Sequence, residues 1–227
     1  GQADAIVTNN EFSDLQCPFC SRHFQNVAPR LKSAYVDSGK LKYVAREFPL
    51  ENIHPAATRA SQAALCAGEQ GDYWGMHSKI FSNQQKMRPR DFASYAAELD
   101  LDEDAYQDCV DSNRFAQQIQ ADLELGRRLG VQGTPSFFVG LTDPSDPEKV
   151  IASHFIRGAQ PYHVFEQAIE ALLKEANAVR ISRVGTGLGG LESTRENGSG
   201  RRKYLGGVEL VRHQRVVGVT AEIAVAT

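Results

Sequence analysis

The chain has 227 residues, 41% hydrophobic and 23% charged, with a formal net charge of -3. This composition excludes a disordered, collagen-like or disulfide-scaffold chain, and no apolar run approaches the roughly 18 residues of a spanning helix. Nor is there an overall basic field suited to nucleic acid, so no nucleic-acid partner is expected. The average conceals an asymmetry. Residues 1–179 carry 17 Lys and Arg against 24 Asp and Glu, whereas residues 180–227 carry 8 against 4 and hold 9 of the 19 glycines. A boundary is expected near Arg180, followed by a basic, Gly-rich and flexible tail over 180–227. No charged-then-apolar leader precedes the first strand, so a secretory signal is expected to be absent from this sequence.

In chain order, Ile6–Ser13 reads as a strand, weakened by Asn9 and Asn10. Cys17-Pro18-Phe19-Cys20 follows, with proline where a helix start favours it. Phe24, Val27, Ala28, Leu31, Ala34 and Tyr35 then form one helical face, kinked at Pro29 and capped by Gly39. Leu41–Phe48 reads as a second strand, so the opening is a strand–helix–strand unit. Residues 56–129 are helical in pattern, with Tyr73, Trp74 and Phe81 expected in a core and Asp100–Asp104 at a helix start. Ser136–Val139 reads as a short buried strand, Thr142–Glu148 as a turn and Val150–Ile156 as a further strand. A last helix carries Val164, Phe165, Ala168, Ile169, Leu172 and Leu173 on one face. The expected fold class is α/β, with a discontinuous core over 1–55 and 130–179 and a helical insertion over 56–129.

Cys17, Cys20, Cys66 and Cys109 are the four cysteines. A single Cys-x-x-Cys is a good redox site and a poor metal site, since zinc and iron–sulfur clusters usually want three or four paired ligands. Two thiols one turn apart can close a disulfide. At a helix start, Cys17 meets free N–H groups and the macrodipole, which favour a thiolate. Alternative readings are a structural disulfide or a non-enzymatic metal-binding module using Cys17, Cys20 and His23. His54, before Pro55 in the turn leading to the insertion, reads as a surface turn residue, the alternative being a place on the active-site face.

The segments EFSDLQCPFCSRHF, GVQGTPSFFVG and RGAQPYHVF resemble a DsbA-like thiol:disulfide oxidoreductase of the thioredoxin superfamily, over about residues 3–176. The resemblance implies a thioredoxin fold with an inserted helical subdomain, and enzymatic dithiol/disulfide exchange without metal or other cofactor. It makes Cys17 the exposed nucleophile and Cys20 the buried resolving thiol. Pro18 and Phe19 flank the sulfurs, and Thr134 and Pro135 form a cis-proline loop against which a client strand pairs. Glu11, six residues before Cys17, takes the place of a buried acid that relays a proton to or from the resolving cysteine; the alternative is a strand residue facing solvent. Phe19 offers no hydrogen bond to Cys17, which implies a milder oxidant than DsbA itself and leaves open a reductase or isomerase. Some relatives carry a second disulfide in the helical region, so Cys66 and Cys109 are either bridged or two buried thiols. The expected protein is a monomer in the periplasm or otherwise outside the cytoplasm. It would act on protein or peptide thiols and disulfides, with a membrane redox partner as a further expectation.

Overall fold

The computed structural model describes residues 1–185 and 221–224. Its centre is a sheet of five strands: β1 (Val7–Ser13), β2 (Leu41–Glu47), β3 (Ser136–Asp143), β4 (Asp146–Arg157) and β5 (Ala221–Ala224). Their order is β2-β1-β3-β4-β5. The β1–β2 pair is parallel and the other pairs are antiparallel. Every residue of β1 is buried, as befits a central strand covered on both faces. Asn9 and Asn10 are buried there, their backbone held by the ladders on both sides.

Between β1 and β2 come α1 (Pro18–Asn26), α2 (Ala28–Leu31) and a π-helical turn over Lys32–Val36. The break expected at Pro29 falls at Val27, because proline takes the start of the second helix rather than bending one helix. Gly39 ends the segment with φ of +72°, a conformation that glycine adopts without strain. Five helices separate β2 from β3: α3 (Ala57–Glu69), α4 (Tyr73–Ser82), α5 (Pro89–Glu98), α6 (Glu103–Asp111) and α7 (Ala116–Arg128). The acidic run before α6 works as expected: the Asp102 side chain accepts from the Ala105 N–H at 2.9 Å.

The sheet packs in layers. Val7, Phe137 and Val139 face α1, α2 and the last helix, α8 (Tyr162–Gly185), whose Phe165, Ile169 and Leu172 are buried against them. Phe12 and Phe138 face the other way, toward Phe48, Val131 and the α7 residues Leu123 and Leu125. A third cluster joins α3–α6 to the Cys17–Cys20 turn: Ala60, Ala63, Met76, Ile80 and Phe92 pack with Leu15, Cys17 and Cys20.

The structure departs from the sequence reading in four further places. The turn expected over Thr142–Glu148 shrinks to residues 144 and 145, because β3 and β4 pair as a long hairpin from Ser136↔Arg157 to Asp143↔Asp146. The boundary expected near Arg180 falls inside α8, whose run of helix-compatible residues meets no Gly or Pro before Gly185. Part of the proposed tail, Ala221–Ala224, pairs with β4 as an edge strand. The rest of that tail, 186–220 and 225–227, lies outside the described residues. Trp74, expected in the core, is 44% exposed.

Candidate functional site

Cys17 is the N-cap of α1, with extended backbone (φ -71°, ψ 125°), and Pro18 occupies the first turn. No acidic side chain stands in that turn, so nothing there offsets the positive end of the helix. Cys20 is one turn in and fully buried, receiving the Asp14 N–H on its sulfur at 3.5 Å. The turn is clamped from several elements. Asp14 accepts from the Gln16 N–H, the Leu50 N–H and His54 Nδ1, each at 2.8 Å. Gln84 donates to the Leu15 and Cys17 carbonyls at 3.0 and 3.1 Å.

The Thr134–Pro135 peptide bond is cis, and the loop sits directly on the redox turn: the Cys17 thiol donates to the Thr134 carbonyl at 3.6 Å. This contact corrects one expectation. Cys17 is only 4% exposed, because the loop and the helical cluster cover its sulfur. Phe19, in contrast, is 53% exposed, with the Arg22 guanidinium 5.2 Å from its ring centroid. Pro18 is exposed beside it.

The two thiols differ in charge preference. Cys17 is lowered to about 6, first by the neighbouring Cys20 thiol and then, against the cost of burial, by the Cys20 and Phe19 N–H groups. Cys20 is pushed well above the ordinary thiol range by burial, by its bond to Cys17 and by the nearby Glu11 charge. Glu11 lies beneath them on β1, 3% exposed, so it does not face solvent. Burial raises its carboxyl to about 7, partly offset by the hydrogen bond from Tyr43.

His23 turns away from the thiols. Its Nε2 lies 3.0 Å from the Tyr43 hydroxyl and its ring packs on Phe137 and Phe165, which removes it from any site with Cys17 and Cys20. Among the described residues no cluster of three or more His, Cys, Asp or Glu is placed to hold a metal. Cys66 of α3 and Cys109 of α6 are joined by a disulfide, with Cα atoms 5.8 Å apart. They lie in the helical block and join its helices to one another.

Two participants differ from the sequence reading: Tyr43 is not singled out there, and His54 takes the alternative place beside the redox turn. Tyr43 donates to Glu11 Oε2 at 2.5 Å; only the register that sets Asn9 against Tyr43 and Glu11 against Ala45 puts them on one face. His54, taken for a surface turn, is bound to the fully buried Asp14. Asp14 draws it in because a buried carboxylate needs several donors. A cleft of about 760 Å³ lies between residues 48–52 and helices α3, α6 and α7, reaching Gln132 just before the proline loop. The cysteines do not line it.

Known proteins share this architecture. A family model described as "Thioredoxin" matches residues 1–153. The solved structure of Wolbachia pipientis α-DsbA1 superposes with a TM-score of 0.67 at 26% identity, covering 78% of this chain and 91% of that one. BdbD of Bacillus subtilis shares the fold, with a TM-score of 0.65 at 22% identity over 77% of this chain and 91% of that one. In sequence, the Na(+)/H(+) antiporter NhaA 3 of Salinispora tropica is 37% identical over 139 residues, 61% of this chain and 21% of the antiporter. NhaA 1 of Mycolicibacterium gilvum is 33% identical over 141 residues, 61% of this chain and 22% of that protein. The chain thus spans about a fifth of the length of these curated relatives. With its family-model match over the redox turn and the sheet, and its helical insertion shared with the DsbA structures, the chain belongs to the thioredoxin family in its DsbA-like form.

Proposed function

We propose that the protein is a protein-disulfide oxidoreductase that exchanges dithiols and disulfides through Cys17 and Cys20 and oxidises client proteins outside the cytoplasm. The observation that carries this reading is the divergence of the two thiols: Cys17 is lowered to about 6 while Cys20 is driven up, over a buried Glu11 near 7. One sulfur is thereby the entry and leaving thiolate at neutral pH, and the other stays protonated until a base takes its proton. A solved relative, α-DsbA2 of Wolbachia pipientis, is described as a thiol-disulfide exchange protein and shares the fold at a TM-score of 0.62.

The chemistry balances without any other cofactor. A client thiolate attacks Cys17 of the Cys17–Cys20 disulfide, and Cys20 leaves as a thiolate and takes a proton from Glu11. A second client thiolate then attacks the client sulfur, a client disulfide forms, and Cys17 leaves as a stable thiolate. Two electrons pass from client to enzyme. Thr134 and Pro135 offer backbone for an extended client segment, and the exposed Phe19 and Pro18 offer apolar contact beside the sulfurs. The Cys66–Cys109 bridge supports an oxidising compartment, where structural disulfides persist. We place the protein there as a monomer, reoxidised by a membrane partner.

A more stable Cys17 thiolate favours the reduced enzyme and makes it a stronger oxidant. A value of about 6 falls between the roughly 7 of thioredoxin and roughly 3.5 of DsbA. The pair is therefore expected to titrate between about -270 and -120 mV. Equilibration with glutathione buffers measures this, alongside disulfide recovery in a reduced, unfolded client. Client oxidation that is lost in Cys17→Ser supports the oxidase. A potential at or below about -270 mV with only client reduction reverses the electron flow, and loss of exchange in neither cysteine variant removes the assignment.

A further inference from the structure

We propose that Tyr43, itself held by His23, is a positioning residue that fixes Glu11 for proton exchange with Cys20 and leaves Glu11 Oε1 as the oxygen that carries the proton. The proposal rests on the reading of Glu11 as the proton relay. β1 and β2 run parallel, with Asn9 opposite Tyr43 and Glu11 opposite Ala45. Tyr43 and Glu11 therefore leave the same face of the sheet one step apart, and the phenol reaches along to donate to Glu11 Oε2 at 2.5 Å.

A phenol has one proton. With that proton on Glu11, His23 Nε2, 3.0 Å away, meets the hydroxyl by donating to its oxygen. His23 is therefore the neutral Nε2–H tautomer, and its Nδ1 is buried with no hydrogen-bond partner among the described residues. Packing against Phe137 and Phe165 keeps the ring in place. Burial lowers its pKa to about 3, so His23 does not take the proton that Glu11 acquires; it is a fixed donor. Tyr43 is thus engaged on both sides, and Glu11 Oε2 is occupied. Glu11 Oε1 is buried and without a hydrogen-bond partner among the described residues. The other groups facing Glu11 are Ser13 on its own strand, Cys17 and Cys20 from α1, and Tyr73 from α4. Of these contacts, the Tyr43 bond is the largest that favours the ionised carboxylate.

The step in question is resolution of the mixed disulfide. The Cys20 thiol gives its proton to Glu11 Oε1, and the Cys20 thiolate attacks the Cys17 sulfur. The Cys17–Cys20 bond forms as the Cys17–client bond breaks, and the client departs as a thiolate with the electron pair.

The test uses the full chain with glutathione placed on Cys17 as a mixed disulfide, and measures glutathione release against pH. In the wild type the rate rises through a limb near the Glu11 value of about 7. Tyr43→Phe removes a hydrogen bond to a charged group, so the limb moves up by on the order of one pH unit and release at neutral pH falls severalfold. An unmoved limb in Tyr43→Phe overturns the positioning role while leaving the relay intact. Persistence of the wild-type limb in Glu11→Gln refutes the relay reading itself, and this proposal with it. A measurement on the wild type guards against misfolding of the variants. The Tyr43 hydroxyl proton, followed by NMR, should shift with the same midpoint as the Glu11 carboxyl carbon. Independent midpoints, or no shift, overturn the proposal.

Discussion

Cys17 and Cys20 are three residues apart and share a helix, yet their surroundings drive their ionisation in opposite directions. Cys17 collects donors: the Cys20 thiol and two N–H groups at the helix start. Cys20, fully buried, gains only the Asp14 N–H and faces a carboxylate. Reaction with a small alkylating agent should therefore follow a thiolate titration with a midpoint near 6 at Cys17, with Cys20 modified far more slowly. Mass spectrometry of the reduced protein across pH measures both, and preferential labelling of Cys20 would reverse the assignment. Cys20→Ala removes the largest contribution to the Cys17 shift, so the Cys17 midpoint should rise toward the ordinary thiol value. The same experiment gauges how much the 4% exposure of Cys17 slows a reagent: a larger alkylating agent should lose more rate than a smaller one, without a change in midpoint.

At the level of elements, the site depends on how the helical block is fastened to the sheet. Helix α7 approaches closely enough that a Cβ on Gly126 would lie 2.5 Å from the Phe48 ring and 3.0 Å from the Phe12 ring. Both rings are buried and in edge contact with each other, so neither can yield easily. Gly126→Ala should cost about 1–3 kcal/mol through overpacking, despite the better helix propensity of alanine; a chemical melt showing stabilisation would mean that the rings can move. One turn earlier on the same face of α7, the Arg46 guanidinium bonds the Asp122 carboxylate at 2.7 Å with both side chains buried, tying the helix to the end of β2. Within the block, Cys66–Cys109 joins α3 to α6 across a sequence separation of 43. In the chain-entropy model, closing such a loop contributes on the order of 4 kcal/mol. The double variant Cys66→Ala/Cys109→Ala should lose up to that much in denaturant melts and keep thiol exchange at Cys17. Loss of exchange in a still-folded double variant would show that the bridge also shapes the site.

Across the whole molecule, two carboxylates are buried on the same side of β1 and β2. Glu11 lies beneath the thiols. Glu47, opposite Ser13, accepts from Ser61 at 2.5 Å and Tyr73 at 2.6 Å. Burial raises both from 4.5 to about 7. The folded state therefore binds more protons than the unfolded chain between those values, and stability falls as pH rises through that window. The contribution of these groups is fully present below about 4.5 and is lost as pH passes about 7. Each shift corresponds to roughly 3 kcal/mol. Buried His23 and His77 and the Cys17 thiol are shifted the other way and oppose this slope, so the test is a difference: thermal melts of Glu47→Gln should gain stability relative to the wild type as pH rises from about 5 to about 8. A difference that stays constant over this range would contradict burial of the charged form of Glu47.

The sequence by itself determined the elements whose signals are local. Pro18 after Cys17 marks the start of a helix, the spacing of Phe24, Val27 and Leu31 marks its buried face, and the two thiols one turn apart mark the redox chemistry. The strand–helix–strand opening and the helical interruption were legible for the same reason: hydrophobic periodicity and capping act over a few residues. The tertiary structure decided what depends on distant partners. Whether Glu11 faces protein or solvent is a matter of sheet order, because only a strand paired on both sides is buried throughout. That Tyr43 holds Glu11 follows from the β1–β2 register, in which a one-residue slip would turn the phenol to the opposite face. His54 joins Asp14 across 40 residues, and Thr134 covers Cys17 across 117. The long β3–β4 hairpin, with Pro147 inside a strand, likewise arises from cross-strand pairing that local turn preference does not encode. Each of these contacts joins residues far apart in the chain, and the fold brings them together only once the sheet is ordered and the helical block has closed over the redox turn.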